Sequence, residues 1–158
     1  MKYHYTTGLK LTLILKDDLI RPTELFLAPY ERGVAWFTTR LTYEPTAIKT
    51  CDNGKTQLSL TELAELGDGL YRFGVPDDHP QHAQLFPWLK ICRVAHTPKT
   101  VRCSLERIAR EQGGDPYTYW GSLSPVSILG CTIEKSLDGD SWECALPQEQ
   151  AAVAKAGR

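Results

Sequence analysis

The sequence has no long apolar run, no excess of one charge and no cysteine pair at C-x-x-C spacing, and each absence removes a class of protein. Apolar stretches such as Leu11 to Leu15, interrupted by Thr12, fall far short of the ~20 residues that a membrane-spanning helix requires. Lys2-Tyr3-His4 leads into no secretory signal core, so no membrane association is expected. With 18 Lys and Arg against 19 Asp and Glu, the net charge is -1, which disfavours a partner held by bulk electrostatics. Nucleic acid is therefore not favoured, although Lys10, Lys16, Arg21, Arg32 and Arg40 make the first part of the chain locally basic. The cysteines, Cys51, Cys92, Cys103, Cys131 and Cys144, are odd in number and read as reduced thiols of a cytoplasmic protein. No metal is expected: His79 and His82 lie in an acidic, Pro-containing loop without a second ligand pair, and structural zinc needs four converging ligands. There is also no G-x-G-x-x-G, Walker loop, H-E-x-x-H or G-x-S-x-G, which sets aside the commonest nucleotide, zinc-protease and hydrolase sites.

What remains is an ordinary folding domain. At 158 residues and 42% hydrophobic, the chain can bury roughly two-thirds of its unfolded surface and needs no staple. A Tyr-rich strand over Met1 to Tyr5 is followed by Thr7 as a helix cap and by an amphipathic helix with Leu11, Ile14 and Leu15 on one face, ending near Asp17. Pro22 forces Arg21 out of helix, so Leu19 to Pro22 should be extended, with Leu25 to Ala28 as its continuation. Gly33 to Thr39 and Leu70 to Val75 are the clearest strands. Asn53-Gly54 marks a turn over Cys51 to Lys55, and Ser59 to Leu66 is a short helix or a strand approach. Pro87 opens a helical piece running to Val94, and Thr97-Pro98 starts a helix with Val101, Leu105, Ile108 and Ala109 on one face, stopped by Gly113-Gly114. Tyr117 to Leu123, Ile128 to Ser136 and Ser141 to Cys144 read as strands, the last two joined across Asp138-Gly139. Without a regular strand-helix alternation, these elements predict an α+β fold with a largely antiparallel sheet. One domain spans 1–147, and the small, polar tail 148–158 should fray.

The order of three features carries further information: Tyr3-His4-Tyr5-Thr6-Thr7, a helix closing on Leu19-Ile20-Arg21-Pro22, and Gly33-Val34-Ala35-Trp36-Phe37-Thr38-Thr39. Together they resemble the ADP-ribosyltransferase superfamily, including its small bacterial and phage members. There an early strand carries His followed by a small or hydroxyl residue, a helix leads into a Gly-hydrophobic-x-Pro turn, and a second strand reads aromatic-Phe-Ser/Thr. The resemblance covers about the first quarter of the chain. It implies an NAD-binding cleft whose substrate is cleaved at the nicotinamide-ribose bond, with ADP-ribose passed to a macromolecular acceptor, protein, DNA or RNA.

Carried onto this sequence, the resemblance implies that His4 hydrogen-bonds the adenosine ribose of NAD while backbone groups near Tyr5 and Thr6 hold the nicotinamide amide. Thr38 and Thr39 would line the opposite wall, and Tyr43 would stack under the nicotinamide. Arg21 or Arg40 would pair with the pyrophosphate, because a guanidinium offers two parallel donors to phosphate oxygens. The family's late-strand Glu, which stabilises oxocarbenium-like charge, has no counterpart between Tyr117 and Val126. Asp115 is the nearest substitute, and Glu134 lies on the following strand. Three alternatives stay open: transfer that uses Asp115, chemistry without this acid as in the RNA 2'-phosphotransferase branch, or a non-catalytic cleft serving a protein partner. Each residue also has a purely structural reading. Trp36 and Phe37 face opposite sides of a strand, Tyr43 can cap a loop, and Asp115-Pro116 is an ordinary turn pair.

Overall fold

Alternation along the first strand sets the two faces of the sheet. In β1 (Lys2–Thr7), Tyr3 and Tyr5 point to one side, and Lys2, His4 and Thr6 to the other. The computed structural model describes residues 1–23, 28–51 and 56–145. β1 pairs along its whole length with β6 (Leu70–Val75), which puts Lys2, His4 and Thr6 beside Val75, Phe73 and Tyr71. These three β6 side chains join Leu11, Ile20, Ala35, Phe37, Leu85, Val126 and Ile128 in the larger core. Tyr3 and Tyr5 pack on the other face with Tyr43, Leu63 and Leu70. Every β6 residue is buried, because both faces of this central strand are covered.

The other strands are β2 (Leu19–Ile20), β3 (Ala35–Thr38), β4 (Thr50–Cys51), β5 (Thr56–Gln57), β7 (Phe86–Pro87), β8 (Tyr119–Ser122), β9 (Val126–Ser127), β10 (Thr132–Ser136) and β11 (Glu143–Cys144). Seven strands form one sheet in the order β11-β10-β6-β1-β3-β8-β7, and β2-β9 and β4-β5 are separate two-stranded ladders. All of these pairings are antiparallel. With four α-helices among the described residues beside the sheet, the chain is a single small α+β domain, as its pattern predicts.

The helices are α1 (Gly8–Asp17), α2 (Leu60–Leu66), α3 (Trp88–Val94) and α4 (Lys99–Glu111). α2 begins with a capping box in which the Ser59 and Glu62 side chains satisfy each other's backbone donors. α1 starts differently from the sequence expectation. Thr7 stands at the cap position but its side chain makes no cap bond, and the Gly8 and Leu9 N–H groups donate instead to the Gly69 and Gly67 carbonyls, at 3.1 and 3.0 Å. This close approach requires Gly8, since a Cβ there would sit 2.0 Å from the Asp68 carbonyl oxygen. α3 leans on β8 at Gly121, where a Cβ would come within 2.5 Å of Val34 and 2.7 Å of Ile91.

Several local expectations need correction. Pro98, not Thr97, caps α4, because Pro98 is extended and the Thr97 hydroxyl is engaged with Glu31 at 2.6 Å. The apolar stripe of α4 is only partly covered: Ala109 is buried, whereas Ile108 is 40% exposed. Tyr117 and Thr118 belong to a 3-10 turn over Pro116–Thr118 that Asp115 caps, so the strand begins at Tyr119. Ile128 to Ser136 is not one strand, because a turn with Gly130 at φ 84° separates β9 from β10. The expected extension at Leu25, the Asn53-Gly54 turn and the tail from 148 lie outside the described residues. No described helix is long and apolar enough to cross a membrane.

Candidate functional site

The large sheet is two blocks joined at one point. β3 pairs with β8 at four positions and β1 with β6 at six, but β1 and β3 meet only at Tyr3 opposite Thr38. Beyond that bridge the strands part, and the His4 side chain spans the gap. Its Nδ1 lies 2.9 Å from the Trp36 carbonyl oxygen. A carbonyl only accepts, so Nδ1 carries the proton and a neutral imidazole presents Nε2 as an acceptor. The Phe37 ring, 5.7 Å away, fixes the other side of the imidazole.

Where the strands part, residues 4–7 of β1, the first turn of α1 and the segment after β3 enclose a cavity of about 110 Å³. Its lining is His4, Tyr5, Thr6, Thr7, Lys10, Tyr43, Ala47 and Lys49. This is far below the roughly 300–1,000 Å³ of sites that swallow whole ligands. It admits one ring or one phosphate-sized group, with the rest of any larger ligand lying outside. Local sequence explains the walls. The Pro45–Ala47 3-10 turn, capped by the Glu44 side chain, brings Ala47 and Lys49 back toward β1, and the Tyr43 N–H is anchored to the Gly139 carbonyl at 2.6 Å. Tyr43 packs against Tyr5 with ring centroids 5.1 Å apart, and the Tyr5 hydroxyl donates to the Arg40 carbonyl at 2.7 Å.

The electrostatics follow from this enclosure. Desolvation, opposed in part by the Trp36 bond and reinforced by Lys10 and Lys49, lowers the His4 pKa to about 4 and keeps the ring neutral at pH 7. Burial pushes the Tyr5 phenol up to about 12 and the Tyr43 phenol higher still, so both are neutral donors and neither is a base. Desolvation, then the Lys10 charge, lowers the Lys49 pKa. Among the described residues no carboxylate lines the cavity.

The structure thus brings His4, Tyr5, Thr6 and Tyr43 together and places the other sequence candidates elsewhere. Thr38 is buried and shares its hydroxyl with Thr118 and with the Arg40 N–H, while the Thr39 N–H donates to the Thr118 carbonyl. The Arg40 guanidinium is committed to Thr42 and to the Gly113 carbonyl, each at 2.9 Å. Arg21 is exposed and pairs with Asp17 one helical turn earlier, at 3.0 Å. Asp115 is an exposed cap that accepts from the Tyr117 N–H, and Glu134 pairs with Arg72 at 2.7 Å. Lys10 and Lys49 are the lining residues that sequence reasoning did not assign to the site. Lys10 carries a weak signal, three residues past Thr7 in a first turn without an acid. Lys49 carries none, because only tertiary folding returns it to β1.

A larger space, about 450 Å³, lies over Thr100, Val101, Ser104, Leu105 and Ile108. All five belong to one face of α4 and none is titratable, so this is an uncovered helix face and not a reaction site. Among the described residues no group of three or more His, Cys, Asp or Glu side chains is placed to hold a metal. No family model, curated protein or solved structure matches the chain.

Proposed function

We propose that the chain is an ADP-ribosyltransferase-like protein that binds NAD with its nicotinamide-ribose end at the His4 cavity and passes ADP-ribose to a macromolecular acceptor. The observation that carries this reading is the neutral His4 imidazole, held by Trp36 where the sheet divides and facing the same cavity as Tyr43. Nε2 accepts from a ribose hydroxyl, and the cavity admits the nicotinamide ring against Tyr43, where ring stacking keeps it in place. In the transfer step, the ribose C1–nitrogen bond breaks with its electron pair leaving on nicotinamide. The acceptor's lone pair forms the new bond to C1, and any acceptor proton passes to water. The protein contributes positioning, since the described lining supplies no carboxylate to act on the acceptor. The free thiols Cys92, Cys103, Cys131 and Cys144 suit a reducing, cytoplasmic setting.

A second reading has its own observation. The lining contains no acid among the described residues, and Asp115 stands away from the cavity as an exposed cap, which favours a non-catalytic module that binds and does not turn over. Isothermal titration of the reduced protein with NAD, followed by chromatography for free nicotinamide, separates the two. Binding with release, both lost in His4→Ala, is the expected result. Binding without release, even with candidate acceptors added, replaces the transferase with the binding module. Absence of binding overturns NAD binding in both readings and leaves a module acting through a protein partner, which a pull-down tests.

A further inference from the structure

The cavity has a charge that neither ribose nor nicotinamide uses. Lys10, from the first turn of α1, and Lys49, from the segment between the 3-10 turn and β4, reach it from different elements. Neither lysine has an ion pair among the described residues, whereas Arg21 is paired with Asp17 and Arg72 with Glu134. Among the described residues no acid lines the cavity, and the first turn of α1 also contains none, so nothing in the described lining neutralises the two ammonium groups.

Two unpaired like charges at one cavity repel, and a fold keeps them there at a cost unless a ligand supplies the opposite charge. That mutual effect is visible in the groups themselves. Lys10 lowers the affinity of Lys49 for its proton, and both lysines do the same to His4. The arginines expected to hold phosphate are engaged with protein groups, which leaves this pair as the cationic feature of the cavity. Around it stand the Thr6 and Thr7 residues and a neutral imidazole, and both lysines are exposed, so they reach the cavity from its rim and leave its interior to the ring.

We propose that Lys10 and Lys49 form a phosphate-binding site at the exposed rim of the His4 cavity. Anionic phosphate oxygens accept charge-assisted hydrogen bonds from both ammonium groups, and threonine hydroxyls at the β1 end donate to the remaining oxygens. This rests on the NAD reading only for the source of the phosphate. The group is either part of the dinucleotide's own diphosphate or a phosphate monoester on the acceptor, and the two sources differ in whether they compete with NAD.

The test uses the whole chain with inorganic pyrophosphate and inorganic phosphate as probes, titrated calorimetrically at low salt into the parent, Lys10→Gln and Lys49→Gln. Both lysines are exposed, so the variants keep the core, which matching melting temperatures would verify. The expected result is binding of at least one anion, weakened about tenfold or more by each substitution and by raised salt. Pyrophosphate that competes with NAD identifies the diphosphate as the source, and phosphate that binds alongside NAD identifies the acceptor. Anion binding without NAD binding keeps the site and discards the NAD reading. NAD binding equal in the parent and both variants, with no anion binding, overturns the site and leaves the NAD reading intact. Anions that bind parent and variants equally also overturn it.

Discussion

The imidazole of His4 donates to the carbonyl of Trp36 at 2.9 Å across the line where β1 and β3 separate. One side chain thus closes the division between the two blocks of the sheet and faces the cavity there. The bond favours the charged ring, but burial opposes that form more strongly, which gives the site a measurable acid sensitivity.

The His4 pKa falls from an ordinary 6.5 in the unfolded chain to about 4 in the fold. The unfolded state therefore binds more protons between these values, and stability rises with pH across that window. The contribution is fully present above about pH 6.5 and is lost as pH falls toward about pH 4. At about pH 5 the loss amounts to at most about 2 kcal/mol, less because the half-buried ring borders a cavity that water can enter. Urea titrations at about pH 7.5 and about pH 5 on the parent and His4→Gln check this. The expected outcome is a smaller loss of stability on acidification in the variant, and parallel losses in the two proteins would contradict the assignment.

Tyr43 separates shape from chemistry at the cavity. Its phenol is held neutral by burial, so the ring face and not the hydroxyl is the useful part. Tyr43→Phe is expected to leave NAD binding within about twofold. Tyr43→Leu, which keeps bulk but removes the aromatic face, should weaken it by about 0.5–1.5 kcal/mol. Calorimetry on both variants reads this directly, and a Phe variant as impaired as the Leu variant would move the role to the hydroxyl.

Arg72 is the buried cation of the other face, paired with Glu134 at 2.7 Å and lying over the Tyr3 and Trp142 rings at 4.2 and 4.4 Å. Arg72→Ala removes one partner of a largely desolvated pair together with its ring contacts, and should cost about 3–5 kcal/mol of folding stability. Arg72→Lys keeps charge without the planar guanidinium and should recover only part of that loss. Thermal and chemical denaturation of the two variants would check the order.

Gly8 is where α1 meets the turn before β6. Gly8→Ala drives a Cβ into the Asp68 carbonyl oxygen and disturbs the Gly67 and Gly69 carbonyl caps of the helix. The expected cost is about 1–3 kcal/mol, the scale of forced overpacking. Because the same turn aims Lys10 at the cavity, anion binding should weaken in Gly8→Ala even where the protein remains folded. Unaltered stability in a denaturant titration would show that the helix start yields more freely than the close approach implies.

The sequence by itself determined the α+β class, α1 after Thr7, β3 after Gly33, β6, and the hairpin across Asp138-Gly139, because each is written in neighbours: alternation, helical spacing, a cap, a turn residue. His4 and Tyr43 were candidates through the resemblance to ADP-ribosyltransferases, carried by the residues of β1 and β3, and not through local pattern alone. Tertiary structure alone decided what they face. That β1 and β3 touch at a single bridge depends on the block β3 forms with β8, more than eighty residues later in the chain. Lys49 reaches the cavity only because a capped turn folds back to β1, whereas Arg21, Arg40 and Asp115 found nearer partners in Asp17, Gly113 and Tyr117. Local sequence fixes which way the backbone runs, but a charged side chain is committed by whichever opposite or hydrogen-bonding group the completed fold brings within reach.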